Sequence, residues 1–309
     1  MKKSIITFFL LCFFTSIYTQ TIIEGISFEN YPRVDGSLST FPLNKLVACK
    51  LLNIEYEWKN ETSRYPATQY DYQMQIRAER LKSSIPFING RIQALRTHKA
   101  FINLIENKAN IILSVRKMSI EEKKYADSLG VKLIETPIAL DALVFLVYKE
   151  RGIKSLTAQQ IQDIYMGKID RWEILGGDSA ILYPYIRSDD IQELMESLVM
   201  KGLKKRWDDF FITLGKENQY AICFSLYCKE LMMRDQFYGV QTLAINNIEP
   251  NRETITNRIY PYVSELHAVI RSDLPKNDLA YKLYEWLQSK DGQETIKESG
   301  YIPIMMIQR

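Results

Sequence analysis

The chain has 309 residues, of which 46% are hydrophobic and 25% are charged, a composition typical of globular proteins. This length is too great for one small hydrophobic core, so one large domain or two lobes are expected. The formal net charge of +3 is too small to create a broad positive field, which argues against a nucleic-acid partner.

Residues 1–19 have the pattern of a secretory signal peptide. Two lysines precede an apolar run over residues 5–14, and small and polar residues follow, with cleavage expected near Thr19. The apolar run is too short to span a bilayer as a helix. Two leucines precede Cys12 where a bacterial lipoprotein signal needs a small residue, so lipid anchoring is disfavoured. We therefore expect a mature protein that is exported to the periplasm.

The turn between the first predicted strand and helix, within residues 31–43, is a candidate anion site. Gly36 tolerates the backbone angles of a tight turn, and Thr40 followed by Pro42 favours a helix start. Free backbone N–H groups, with the hydroxyls of Ser37, Ser39 and Thr40, would then face one point, as anion binding requires. The alternative is an ordinary capped helix that binds nothing.

The rest of the chain alternates short apolar strands with amphipathic helices, which predicts an α/β fold with mostly parallel sheets. The predicted strands cover residues 54–58, 110–115, 131–134, 142–147, 220–224, 240–245 and 267–271. The predicted helices cover residues 100–106, 120–129, 157–165, 189–206, 278–288 and 291–299. Glycines at 130, 167 and 300 are expected to end helices.

Three cysteines follow the predicted signal peptide. Cys49 lies among the apolar positions of the first predicted helix and is expected to be a buried thiol. Cys223 and Cys228 either form a disulfide in an oxidising compartment or remain two unpaired residues at a strand–helix junction. No histidine stands near them, so no metal site is predicted.

Several segments resemble, in order, the phosphate-binding-protein family of bacterial ABC importers. They are residues 35–37, 136–147, 156–172, 176–177, 260–262, 291–293 and 300–303. The resemblance implies a two-lobed, periplasmic-binding-protein-like α/β fold. Each lobe would be a mixed, mostly parallel sheet flanked by helices, and two crossing strands would join the lobes. Residues 20–149 and 260–309 would form lobe 1, and residues 150–259 would form lobe 2.

The resemblance also implies which residues bind a ligand between the lobes. They are Ser37, Leu38, Ser39, Thr40 and Thr97 from the first lobe, with Arg187 from the second. Thr97 could instead be a plain helix cap, and Arg187 a free surface residue. Asp141 is either a buried acceptor in the hinge, which we favour, or a ligand contact.

Two departures from the family pattern bear on the ligand. Arg187 is followed by Asp189 and Asp190 rather than by a turn of serine, glycine and threonine donors. An acid about 5 Å from a bound anion costs roughly 3 kcal/mol at an effective dielectric constant near 20, unless these acids merely cap the following helix. Ser114 and Arg116 also stand where many phosphate binders carry a proton-accepting aspartate.

The favoured function is an exported solute-binding protein that closes around a small oxyanion, with phosphate as the first candidate. It would be a monomer without a cofactor, and it would deliver the anion to an inner-membrane ABC permease or report it to a sensor. The alternative is a degenerate fold that acts as a surface or periplasmic interaction module without phosphate binding. An enzyme is not expected, because His98 and His267 lack the spacing of metal or nucleophile motifs.

Overall fold

The structure, a computed structural model, describes residues 23–60, 72–76, 90–187, 189–204, 219–233 and 239–304. The predicted signal peptide therefore lies outside the described residues. Among the described residues, no helix has the length and apolar character needed to cross a membrane.

Twelve strands are described. In chain order they are β1 (Val34–Gly36), β2 (Tyr56–Asn60), β3 (Tyr72–Ile76), β4 (Ile111–Ser114), β5 (Leu133–Tyr148), β6 (Ser155–Leu156), β7 (Tyr183–Pro184), β8 (Ala221–Leu226), β9 (Val240–Thr242), β10 (Ala244–Ile245), β11 (Val263–Arg271) and β12 (Ile302–Pro303).

The described α-helices are α1 (Phe41–Leu51), α2 (Thr97–Ile105), α3 (Ile120–Ser128), α4 (Ala158–Tyr165), α5 (Asp190–Leu194), α6 (Tyr227–Met233), α7 (Arg252–Thr256), α8 (Leu279–Gln288) and α9 (Lys290–Glu298). The helix α5 continues as a π-helical segment, Met195–Met200. Short 3₁₀ turns occupy Lys149–Arg151 and Trp172–Leu175.

The long strand β5 connects the two halves of the main sheet, whose order is β1-β4-β11-β5-β8-β7. Residues 133–142 of β5 pair with β11, and residues 143–146 pair with β8. These β5 pairs are antiparallel, whereas the outer pairs β1–β4 and β7–β8 are parallel. The two-lobed, mixed α/β fold expected from the sequence is thus confirmed, and the lobe boundaries stay a prediction.

Strand β5 merges two strands that the sequence pattern separated, at 131–134 and 142–147. Pro137 lies between them and interrupts the pattern because it has no N–H for a ladder. The strand nevertheless continues. Its pairing with β11 shifts register beside this proline, because the consecutive Leu266 and His267 pair with Ala139 and Pro137 and skip Ile138. The predicted strand at 240–245 is, in contrast, two short strands, β9 and β10.

The predicted helix over residues 189–206 is wrong in length. Its helical part ends at Met200. Lys201 and Gly202 then adopt left-handed backbone conformations, with φ of 48° and 85°, and such a pair terminates a helix. Residues 205 and 206 lie outside the described residues.

Aromatic side chains form the core around the middle of β5. The Phe145 ring lies 6.3 Å from that of Tyr165, 6.2 Å from that of Phe224 and 5.9 Å from that of Tyr262, measured between centroids. All four side chains are buried, so this cluster stabilises the junction between the sheet halves.

The three described cysteines are buried free thiols. Cys223 lies in β8 and Cys228 in the first turn of α6, and they do not form a disulfide. Burial raises the pKa of Cys223 to about 12, so this thiol is protonated and unreactive at neutral pH. The structure therefore supports the unpaired reading of these two residues.

Candidate functional site

Residues 37–40 form a tight loop between β1 and α1. The Ser37 hydroxyl accepts a hydrogen bond from the Thr40 backbone N–H at 3.2 Å. The Thr40 hydroxyl donates to the carbonyl of Ser37 at 3.0 Å and to that of Leu113 in β4 at 3.3 Å. Both side chains are fully buried. These two predicted ligands therefore use their hydroxyls to hold the loop against the sheet.

Ser39 anchors the same loop to the C-terminal part of the chain. Its backbone carbonyl accepts a hydrogen bond from the Tyr301 hydroxyl at 3.3 Å. Ser39 is buried, whereas the neighbouring Leu38 is 49% exposed. The loop is thus fixed on both sides, and the Leu38 backbone N–H is held in a defined direction.

A second set of donors lies at the start of α2. Thr97 is the first residue of this helix and is fully buried. It follows Arg96, whose backbone has a positive φ of 68°. The helix N-terminus leaves the Thr97 N–H without an intrahelical partner, and its partial positive charge favours an anion there.

The donors of both segments converge on the carboxylate of Asp190. Its Oδ1 accepts from the Thr97 N–H at 2.8 Å and from the Thr97 hydroxyl at 3.2 Å. Its Oδ2 accepts from the Leu38 N–H at 3.0 Å. We call these three donors the cradle. Three donors therefore face the two oxygens of one carboxylate, which is itself an anion.

Asp190 reaches the cradle from the other side of the molecule. It is the first residue of α5, which follows β7 at one edge of the sheet, whereas Leu38 follows β1 at the opposite edge. Only 1% of Asp190 is exposed. Asp190 follows the capping residue Asp189, and its carboxylate contacts predicted ligand residues; its proximity to a ligand stays a prediction.

Arg187 pairs with Asp189 rather than with the cradle. Its Nε lies 2.9 Å and 3.0 Å from the two Asp189 carboxylate oxygens, and its terminal nitrogen also donates to Asp189. Burial opposes the charge of Asp189, but the guanidinium holds the pKa of this carboxyl below its usual value. Asp189 also accepts from the Ile191 N–H at 3.2 Å, so it caps α5 as one reading of the sequence expected.

A further ion pair joins α5 to the first half of the chain. Arg116 Nε donates to Glu193 at 2.9 Å, and its two terminal nitrogens hold both oxygens of the buried Glu122, each at 2.9 Å. Glu193 is one helical turn from Asp190, so both acids lie on one face of α5. Sequence reasoning missed this contact, although the spacing of three residues between the acids was visible.

Asp141 does not contact the cradle residues. It lies in β5 with 3% exposure, and its Oδ1 accepts from the backbone N–H of Ala142 at 2.9 Å and of Cys228 at 3.0 Å. The carboxylate thus ties the crossing strand to the start of α6. This placement agrees with the predicted hinge role, which stays a prediction.

The buried Asp141 should make stability depend on pH. Burial raises the pKa of this carboxyl to about 6, against the hydrogen bonds from Cys228 and Ala142. Between pH 4 and 6 the folded protein retains a proton that the unfolded chain releases, so folding is penalised progressively as the pH rises. The free energy of unfolding, relative to that of the Asp141→Asn variant, should fall by up to about 3 kcal/mol over this range. Urea unfolding at several pH values measures this, and parallel curves for the two proteins would contradict it.

The described residues contain no group of three or more histidine, cysteine, aspartate or glutamate side chains that could hold a metal ion.

Of the predicted site residues, the structure brings Leu38 and Thr97 together around one acidic partner, Asp190. It gives Arg187 and Asp141 other contacts. The neutral donors of Leu38 and Thr97 can bind an anion.

A family model described as a PBP superfamily domain matches residues 73–291. The chain belongs to the PBP superfamily. The phosphate-binding protein PstS of Pseudomonas aeruginosa is 26% identical over 261 residues, covering 75% of this chain and 79% of that protein. PstS of Borreliella burgdorferi is 24% identical over 223 residues, covering 66% and 76%. The resemblance drawn from the sequence motifs is confirmed, and these relatives are binding proteins rather than enzymes.

Solved structures of PBP-like proteins share the fold. A putative phosphate ABC transporter substrate-binding protein from Clostridium perfringens, solved with bound phosphate, has a TM-score of 0.63 at 21% identity, with 89% of this chain and 99% of that chain covered. An ABC-type phosphate transport receptor from Vibrio cholerae has a TM-score of 0.62 at 19% identity, with 87% and 98% covered. The two-lobed architecture of this PBP superfamily member therefore extends over nearly the whole described chain.

Proposed function

We propose that this protein is an exported solute-binding protein that binds a small oxyanion between its two lobes, with phosphate as the first candidate. The observation that carries the proposal is the convergence of three donors from two segments on one carboxylate, at 2.8 to 3.2 Å. Donors arranged in this way bind negatively charged oxygen, and each such hydrogen bond contributes roughly 1.5–3 kcal/mol.

The relatives supply the identity of the anion. Curated relatives from two bacteria are phosphate-binding proteins, and a structure of the same fold contains phosphate. These names favour phosphate binding over the alternative of a non-binding interaction module. The similar structure is described as part of an ABC transporter, which favours delivery to an ABC permease. We propose a monomeric, periplasmic carrier.

The proposal is tested by calorimetric titration of the phosphate-free mature protein with phosphate, sulfate and acetate. Saturable binding of phosphate at one site per chain is expected. The Thr97→Val variant keeps the backbone N–H but loses the hydroxyl, and its affinity should fall by about tenfold or more, the loss of one charge-assisted hydrogen bond.

A matched control is Thr157→Val, which removes another threonine hydroxyl from a helix start. Thr157 accepts from the Gln160 N–H at the beginning of α4 and has no contact with the cradle. Its phosphate affinity should equal that of the unmodified protein. The absence of a binding signal with all three anions would reject the proposed function.

A further inference from the structure

The Asp190 carboxylate accepts from all three cradle donors and so occupies the positions that a ligand would need. We propose that the Asp190 carboxylate is a built-in competitor of the anion, so that phosphate binds by displacing it. This inference rests on the proposed function, because it concerns the same three donors. Asp190 would therefore determine the affinity of the site without itself being a ligand of phosphate.

Competition follows from the use of the donors. Leu38 and Thr97 direct all three cradle hydrogens to Asp190. The two N–H distances are normal for hydrogen bonds, whereas the hydroxyl contact of 3.2 Å is longer than usual. Asp190 is also almost completely buried, with 1% of the residue exposed. A phosphate oxygen placed on these donors would share the space of the carboxylate and repel its charge. The two anions therefore exclude one another.

Neighbouring contacts keep Asp190 in place. Glu193 on the same face of α5 pairs with Arg116 at 2.9 Å, and Asp189 caps the helix while pairing with Arg187. The helix α5 is thus attached to the first half of the chain at two points, the cradle and Arg116. Displacement of Asp190 would break the first attachment and leave the second, the Arg116–Glu193 pair, in place.

The Arg187–Asp189 pair supports the same conclusion. Asp189 accepts from Nε and from one terminal nitrogen of Arg187, so a carboxylate already balances part of the guanidinium charge. Three of the predicted ligands thus face acids: Leu38 and Thr97 donate to Asp190, and Arg187 donates to Asp189. The protein holds its site filled in the absence of solute.

The test is calorimetric titration with inorganic phosphate of the full mature chain and of its Asp190→Ala variant. If the carboxylate occupies the cradle about nine-tenths of the time, its removal should tighten the phosphate dissociation constant by about tenfold. The Asp190→Asn variant keeps the size of the side chain and removes its charge, and it should also bind more tightly. It serves as the second variant if alanine impairs folding.

Glu193→Gln is the matched control. It removes one negative charge from the same face of α5, keeps a side-chain oxygen that can accept from Arg116, and frees no cradle donor, so its dissociation constant should change by less than about threefold. Equal tightening in Glu193→Gln and Asp190→Ala would assign the effect to general charge and overturn the inference. Equal affinity of the unmodified protein and both Asp190 variants would overturn it too, with the proposed function intact. A lack of phosphate binding in every variant would reject the function itself.

Discussion

The Gly36→Ala variant is expected to weaken phosphate binding by about tenfold or more and to lower the free energy of unfolding by about 3 kcal/mol. A Cβ atom at this position would lie 2.4 Å from the Thr40 hydroxyl oxygen and 2.7 Å from the Leu113 carbonyl oxygen. The carbonyl belongs to β4 and cannot move without disturbing the sheet. The loop must therefore shift, and the Leu38 N–H moves out of its place in the cradle.

Gly90→Ala is the control for this substitution. Among the described residues, no atom lies within 4 Å of a Cβ built at Gly90, and its backbone is not left-handed, so stability and affinity should be unchanged. Thermal unfolding with and without phosphate, together with calorimetry, measures both quantities. A Gly36→Ala protein with normal melting temperature and affinity would show that the loop tolerates a side chain, against the close approach described above.

The Trp172→Ala variant is expected to lose about 3–5 kcal/mol of unfolding free energy. Trp172 is fully buried, and its Nε1 donates to the Tyr220 carbonyl at 2.9 Å. Gly177 packs against it so closely that an added Cβ would lie 3.1 Å from the Trp172 Cβ. Removal of the indole would leave a large cavity that this tight surrounding cannot fill.

Trp172→Phe separates the packing from the hydrogen bond. Phenylalanine retains most of the apolar volume, and the Tyr220 carbonyl keeps a second donor, the Tyr183 N–H at 3.2 Å. The cost should therefore be only about 1–2 kcal/mol. Urea unfolding measured by circular dichroism provides both values. Equal losses in the two variants would mean that the hydrogen bond, rather than the packed volume, stabilises this region.

The features of the fold that were predicted correctly depend on residues that lie close together along the chain. Thr157 was expected to begin a helix, and it forms a capping box with Gln160 at the start of α4. Gly130 and Gly167 were expected to end helices, and both adopt positive φ after α3 and α4. Such features are predictable because one to four residues in a row contain all the chemistry that determines them.

The contacts of the candidate site depend on residues far apart in the chain, and the sequence did not predict them. Asp190 lies 152 positions from Leu38 and 93 from Thr97. Helical periodicity shows which face of α5 carries the acid but not which lobe that face meets. The Arg187–Asp189 pair, in contrast, joins residues two positions apart, and its opposite charges were visible. Distance along the chain therefore explains why the Asp190 contacts were missed, although the close Arg187–Asp189 pair was not predicted either.

The sheet order has a consequence for the sequence of events during synthesis. Strand β11 lies between β4 and β5, yet it begins at Val263, long after β4 ends at Ser114. The part of the sheet formed by β4, β11 and β5 therefore lacks its central strand until nearly the whole polypeptide has left the ribosome. Strand pairs of such high contact order form slowly, so this sheet is completed late in folding. For the proposed export, the delay would give a translocase a long interval in which to thread the unfolded chain.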